Sequence, residues 1–537
     1  MRNYRLFLFT LFTIIALTLP LPTKGQQKDI PIIPKPQSVI SKGDVFKLKN
    51  NTTILFSKEE LKETALYAQT ELGLKSKNVK PHTKETYPTN SIVLSLVDTI
   101  YKEEGYKLDI TPTNIYCTAS TKNGIFYAIQ SLLQLIDSDK KVSCLTIEDF
   151  PQYAWRGFML DEARHFFGKE TVKQYLDLMA RLKFNRFHWH LTDEEGWRIE
   201  IKSYPRLTTV GAIGNWDDRQ APAQFYTQED IKEIVEYARQ RHIMVIPEID
   251  MPGHAGAATR SYPELSGGGE GRWKGFTYHP AKETTYEFIS KVFDEVAALF
   301  PAPYIHIGAD EVHYGNQSWF TDKTIQKFIK DNYLASEIGL EHYFVRRVCE
   351  MIHDKGKKMI GWDEILNTGV TPDKAIVMWW RHDRPNELTN ALNKGFQVIM
   401  TPRIPCYFDF VQDESHKIGR RWGKNFNELS TVYAFPQSIG NLIEKKSEQV
   451  LGMQANIWTE RVKDKKRLDF MLFPRLLAIA EDSWTDSNLK DYSDFEQRVK
   501  LFLPYLQSLG INYFNLFDKE STPEPWGPQK ADVIAEG

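Results

Sequence analysis

The chain has 537 residues, 42% hydrophobic and 26% charged, with a formal net charge of −2. That length exceeds one ordinary compact core unless alternating strands and helices absorb it, and the composition argues against both disorder and a membrane bundle. Near-neutral charge without a basic block gives no reason to expect a nucleic-acid or anionic-membrane partner, so a neutral or small partner is expected.

Arg2 and Arg5 precede the apolar run from Leu6 to Leu17, and Thr23-Lys24-Gly25 follows it. This is the pattern of a cleaved secretory leader over residues 1–25; the run barely reaches the ~20 apolar residues of a membrane span and ends in prolines. With no cysteine near the cleavage region to carry a lipid, export to a bacterial periplasm or the cell exterior is expected, with no membrane association after cleavage. Cys117, Cys144, Cys349 and Cys406 are sparse and lack metal-site spacing; they read as structural, their pairing open.

Ile30 to Pro36 is a proline-stiffened entry. Strand-like runs Thr53–Phe56 and Ser91–Leu96, with helical patterns over Glu59–Leu72 and Gly124–Leu135, predict a small α+β domain over 26–150, ending at Asp149-Phe150-Pro151. From Trp155 the pattern becomes parallel βα units. Candidate strands are Arg156–Leu160, Arg186–Leu191, Ile243–Ile249, Tyr304–Ile307, Lys358–Gly361, Ala375–Trp379, Gln397–Met400 and Gly452–Ile457. Eight such strands close a TIM (β/α)8 barrel, predicted here over 151–537 together with a C-terminal helical segment. Gly267-Gly268-Gly269 falls in a long loop and reads as a flexible stretch.

In such a barrel the reacting groups follow the strand C-terminal ends. The eight ends run into Asp161 and Arg164-His165, Asp193-Glu194-Glu195, Asp250 and His254, Asp310-Glu311, Trp362-Asp363-Glu364, Trp380-Arg381, Tyr407 and Asp409, and Trp458 and Glu460. Carboxylates with aromatics suit a sugar: rings cover its C–H faces and ionised carboxylates accept its hydroxyls. Asp310-Glu311 is the candidate reacting pair, since two close carboxyls cannot both ionise freely and one keeps its proton for general acid work.

His306-Ile307-Gly308-Ala309-Asp310-Glu311 resembles the His-x-Gly-x-Asp-Glu signature of the family 20 glycoside hydrolases, the β-N-acetylhexosaminidases. Asp161 to His165, His188 to Asp193, Pro247 to His254 and Gly361 to Glu364 join it in order. The resemblance implies an exo-acting, retaining hydrolase of glycans with terminal N-acetylglucosamine or N-acetylgalactosamine, in which the substrate's 2-acetamido oxygen attacks the anomeric carbon and an oxazolinium ion forms. It implies that Asp310 holds the acetamido N–H, that Glu311 is the acid and base, and that Asp193 and His254 support Glu311. Arg164 would fork onto the C3 and C4 hydroxyls, Asp409 and Glu460 would accept from the C4 and C6 hydroxyls, and Tyr407 would bond the acetamido carbonyl. Trp362, Trp380 and Trp458 would box the methyl and the ring; Trp380 is preferred to Trp379 because it directly precedes Arg381.

No cofactor and no metal is expected. His188 and His190 lie within a strand and read as packing or hydrogen-bonding residues. Two rivals stand beside this reading. One is a metal-dependent barrel hydrolase built on His188, His190, His254, His306 and Asp310, although barrel amidohydrolases carry their His-x-His on the first strand and here it is on the second. The other is a sugar-binding protein without turnover. The long stretches Tyr204 to Tyr226 and Asp409 to Ser430 are expected to shape the leaving-group side, and the oligomeric state is open.

Overall fold

The computed structural model describes residues 30–84, 86–98, 102–422, 426–525 and 533–536; the leader falls outside them. The first sheet has seven strands: β1 (Ser38–Lys47), β2 (Thr53–Phe56), β3 (Val79–Pro81), β4 (Ser91–Leu96), β5 (Tyr106–Ile110), β6 (Asn114–Ala119) and β7 (Lys141–Asp149), in the order β1-β7-β5-β6-β4-β2-β3. Helices Lys62–Glu71 and Lys122–Leu135 accompany it. The latter begins at Lys122, earlier than its apolar pattern suggests, because the Thr121 hydroxyl accepts the Gly124 N–H at 3.2 Å and caps it. The pattern expected over Glu59–Leu72 divides into a 3-10 turn, Glu59–Leu61, and the helix Lys62–Glu71.

The barrel follows as β8 (Trp155–Asp161), β9 (Arg186–His190), β10 (Met244–Glu248), β11 (Tyr304–His306), β12 (Lys358–Trp362), β13 (Ala375–Trp379) and β14 (Val398–Met400). A short strand β15 (Gly419–Trp422) lies in the long connection, and β16 (Val450–Ile457) closes the barrel between β14 and β8. All its pairings are parallel, as short apolar strands separated by amphipathic helices demand.

The small sheet grips the foot of the barrel through buried ion pairs. Lys183 Nζ lies 2.9 Å from Asp149 Oδ2 and donates to the Tyr106 hydroxyl at 2.9 Å, while Trp484 Nε1 donates to Asp149 Oδ1 at 2.9 Å. Arg156 forks onto Glu104 at 2.7 and 3.0 Å. Breaking such a pair one-sidedly leaves a buried charge unmatched, so these contacts fix how the sheet seats against the barrel. The four cysteines are buried thiols.

Inside the barrel Trp155, Ile246, Ile360, Ile376, Met378 and Ile399 form an apolar layer that continues up to Trp362, Trp380 and Tyr407 at the mouth. Beside it lies a polar column. Because side chains alternate along a strand, His188 and His190 of β9 both face inward, and the register sets His190 beside Glu248 of β10, which in turn pairs with His306 of β11.

Candidate active site

A cavity of about 380 Å³ opens at the C-terminal ends of the barrel strands, walled by Arg164, Asp193, His254, Asp310, Glu311, Trp380, Tyr407, Trp458 and Glu460. These come from chain segments far apart in sequence that only barrel closure brings together.

The turn after β11 delivers the reacting pair. Gly308, Ala309 and Glu311 have φ of +65°, +71° and +53°, and His254 has +50°. Positive φ outside glycine costs of order 1–3 kcal/mol per residue, so surrounding packing must hold this turn. Gly308 carries the tightest constraint: a Cβ there would lie 1.9 Å from Asp250 Oδ1. Gly308→Ala is therefore expected to displace Asp250 and the Asp310-Glu311 turn, lowering kcat/KM by roughly 10²-fold, the scale of a misplacement of about 1 Å. Steady-state kinetics with circular dichroism checks it, and activity within a factor of two of wild type would contradict it.

Asp310 is 8% exposed, and its Oδ1 has no hydrogen-bond partner among the described residues. An unsatisfied buried acceptor on the wall of a cavity is a place for a ligand N–H. Burial, reinforced by Glu311 and opposed by His254, pushes its carboxyl up to about 7. Burial would raise Glu311 as well, but the hydrogen bond and charge of His254 outweigh it and hold Glu311 below the ordinary value. His254 Nε2 stands 3.6 Å from Glu311 Oε2 and 3.8 Å from Asp310 Oδ2, between the two.

Behind His254 runs a relay of charges. His254 Nδ1 is 3.0 Å from Asp193 Oδ1; Asp193 Oδ2 is 2.9 Å from His190 Nε2 and 2.7 Å from Arg164 Nη1. His190 Nδ1 meets Glu248 Oε2 at 2.8 Å, and His188 Nε2 meets that oxygen at 2.9 Å. Burial lowers the affinity of His190 for a proton, but the carboxylates of Glu248 and Asp193 on its two ring nitrogens raise it well above its usual range. His254 is raised too: burial opposes, and Asp193, Asp250 and Asp310 prevail. His188, Glu248 and His306 offer donor types that a metal could use, yet Glu248 lies only 2.9 Å from a nitrogen of each ring, closer than two ligands of one tetrahedral ion stand, and His306 Nδ1 accepts the Gly308 N–H at 3.0 Å.

Alternation along β13 separates the two adjacent tryptophans. Trp379 packs outward with the helices, whereas Trp380 faces the cavity, donates from Nε1 to Glu364 Oε2 at 3.0 Å, and lies parallel to Tyr407 with centroids 6.3 Å apart. Trp362 is 1% exposed and forms the floor beneath Trp380 and Trp458, at 6.5 and 6.0 Å. Asp409 is likewise 1% exposed, and Arg420 reaches it at 3.2 Å and Glu460 at 2.5 Å. Sequence reasoning placed no role on Arg420, Arg403 or Asp250, all of which line the cavity. Arg420 belongs to β15, inside the connection expected to shape the leaving-group side; a basic residue in a long loop carries no periodic signal. Asp250 was visible at a strand end, and only the fold reveals that it faces Gly308 and Asp310.

Residues 153–487 match the model of the glycosyl hydrolase family 20 catalytic domain, and residues 29–150 match that of domain 2 of the same family. The chain is 39% identical over 516 residues to a beta-hexosaminidase of Porphyromonas gingivalis, covering 90% of this chain and 64% of that one. It is 32% identical over 504 residues to a beta-N-acetylhexosaminidase of Cellulomonas fimi, covering 90% and 96%. The chain thus spans slightly less than two-thirds of the Porphyromonas protein and nearly all of the Cellulomonas one. A solved exo beta-N-acetylglucosaminidase of Vibrio harveyi in complex with N-acetylglucosamine superposes with a TM-score of 0.82 at 32% identity, over 91% of this chain and 78% of that one. With both family models matched in order over one continuous barrel and its preceding sheet, this chain belongs to glycosyl hydrolase family 20.

Proposed function

We propose that this chain is an exo-acting, retaining β-N-acetylhexosaminidase that removes terminal N-acetylglucosamine or N-acetylgalactosamine from glycans. The observation that carries the reading is the pair Asp310 and Glu311 on one wall of a small cavity, with His254 between them. At about 380 Å³ the cavity is near the lower end of the roughly 300–1,000 Å³ of ligand sites, a size that suits one terminal sugar more than a chain.

Asp310 accepts the acetamido N–H and thereby aims the acetamido oxygen at the anomeric carbon. As that oxygen attacks, Glu311 gives its proton to the leaving oxygen; Asp310 stabilises the positive oxazolinium, and Glu311 then takes a proton from the water that opens it. Of the pair, Asp310 holds a proton more firmly, because burial raises its affinity while His254 lowers that of Glu311. An arriving N–H favours the anionic form of Asp310, which sends the proton to Glu311, where the acid is needed. Arg164 and Glu460 stand to bind the ring hydroxyls, Tyr407 the acetamido carbonyl, and Trp362, Trp380 and Trp458 to enclose the methyl and the sugar face. Asp409, which Arg420 meets at 3.2 Å, stands with Glu460 to accept from the C4 and C6 hydroxyls. Export to a periplasm or the cell exterior belongs to the same reading, on the strength of residues 1–25.

The test compares 4-nitrophenyl N-acetyl-β-D-glucosaminide with 4-nitrophenyl β-D-glucoside, which lacks the internal nucleophile. A preference of at least about 10³-fold is expected, modest beside the effective molarities of 10⁵–10⁸ M for well-oriented intramolecular attack. Proton NMR of the first product should show the β-anomer. Equal rates on the two substrates, or an α-anomer formed first, would refute the reading, and binding without release would favour a sugar-binding protein.

A further inference from the structure

The foot of the barrel holds a cavity larger than the catalytic one. It measures about 660 Å³ and lies at the N-terminal ends of the strands, where the first sheet and the helix Gln228–Arg239 meet the barrel. Residues at that end of such a barrel ordinarily serve stability, and the chemistry is confined to the opposite mouth. Aliphatic side chains form much of its wall: Met244 and Val245 of β10, Leu299, Ala302, and Val235 on the helix.

Among them stands Arg186, the first residue of β9. Side chains alternate along a strand, so it faces the same way as His188 and His190, and its guanidinium lies over the Trp155 ring at 5.4 Å. Nη1 donates to the Asn185 carbonyl at 2.9 Å, Nε is buried without a hydrogen-bond partner, and no ion pair reaches the group among the described residues. The carboxylates nearest to hand are engaged elsewhere, Glu104 on Arg156, and Glu63 and Glu236 on Arg239. At the rim Glu103 and Lys122 are both exposed and offset each other in charge, which leaves Arg186 uncompensated. Burial first, then the charge of Arg156, lowers the affinity of Arg186 for a proton, as befits a cation without a counter-ion. Lys122 and Asn123, which open the helix Lys122–Leu135, line the cavity too, and that end of a helix carries partial positive charge.

A guanidinium laid on an indole could complete the barrel floor by itself, but it would leave Nε unsatisfied beside an open cavity, a costly arrangement. We infer that this cavity is a second ligand site and that it takes a small organic anion, with an acid group, carboxylate or phosphate, on Arg186 and an aliphatic body against Met244, Val245 and Leu299. The planar fork of a guanidinium matches either acid group with two parallel hydrogen bonds, and the charge makes them strong. A neutral sugar offers neither the charge nor the aliphatic body.

Isothermal titration calorimetry of the full chain with octanoate, octyl phosphate and octanol tests this. At least one of the two acids is expected to bind with a dissociation constant below about 1 mM, within reach of a ligand of about ten non-hydrogen atoms, and octanol should bind at least about tenfold more weakly. Arg186→Met should weaken the acid at least about tenfold, the worth of hydrogen bonds to a charged group. Val235→Trp, which fills the cavity and leaves the charge in place, should weaken it by as much; it carries the test alone if circular dichroism shows that Arg186→Met does not fold. Octanol binding as tightly as the acids would make the cavity merely apolar, acid binding unchanged in either folded variant would place the acid elsewhere, and no binding of either acid would leave Arg186 as a part of the floor only; each overturns the inference. The readout is binding at the foot of the barrel, so none of these outcomes bears on the glycosidase reading.

Discussion

Glu311→Gln is expected to lower kcat/KM on N,N′-diacetylchitobiose by about 10²–10⁴-fold, the usual worth of general acid catalysis, and to do far less damage on the 4-nitrophenyl glycoside, whose leaving group departs without a proton. Asp310→Asn should behave differently, lowering both substrates together by about 10²–10³-fold, because the positive oxazolinium forms whatever leaves. The two variants also separate in pH. In wild type the pair titrates as a unit, with Asp310 near 7 through burial and the Glu311 charge. Replacing Asp310 by a neutral amide removes a like charge, so Glu311 loses its proton at lower pH and the basic limb of the kcat/KM profile moves acidward. Equal losses of both variants on both substrates, or a basic limb that stays in place in Asp310→Asn, would exchange or dissolve the assigned roles.

Much of the barrel was legible because each strand is a short apolar run with a polar end. Ala375–Trp379 and, in the first sheet, Thr53–Phe56 and Ser91–Leu96 fall on their predicted limits, and the other barrel strands shift by one or two residues. The strands Tyr106–Ile110 and Asn114–Ala119 escaped notice, since their half-buried alternation admits Lys107, Asp109 and Thr118 and looks like loop. The choice between Trp379 and Trp380 was open to the eye in principle: with Ile376 and Met378 inside, the period of two places Trp380 inside as well. What no single strand reveals is register. Glu248 lies in a motif quoted only for its neighbours, yet it gathers His188, His190 and His306 because β9, β10 and β11 are aligned at that level. Arg420 had no signal at all, for its position depends on how a long connection folds back over Asp409 and Glu460.

Arg164→Met is the second variant with a large expected effect, and it acts on stability as well as rate. The guanidinium is buried among carboxylates: Asp193 at 2.7 Å, Glu195 at 3.5 Å and Asp161 at 3.6 Å, each at most 1% exposed. Removing one side of a buried charge assembly costs about 3–5 kcal/mol, since the remaining charges lose their partner without regaining water. The sign with pH follows from Asp193 and Glu195 together. Burial alone would raise its carboxyl, but Arg164, then His254 and His190, depress it well below the ordinary value, so in wild type it stabilises the fold above its unfolded pKa of about 3.9 and that contribution fades only in strong acid. Without Arg164 the largest of these influences on Asp193 is gone, and Glu195, whose carboxyl burial and Asp193 already raise against Arg164, is raised further, so its ionised form becomes a larger cost at neutral pH that protonation relieves. The melting temperature of Arg164→Met should therefore lie furthest below wild type at pH 7.5, and the gap should narrow at pH 5. Its kcat/KM should fall about 10–100-fold, the range for lost hydrogen bonds to a charged group. A gap that widens on acidification would mean that Arg164 does not neutralise these carboxylates, and the relay from Arg164 through Asp193 to His254 would lose its electrostatic basis.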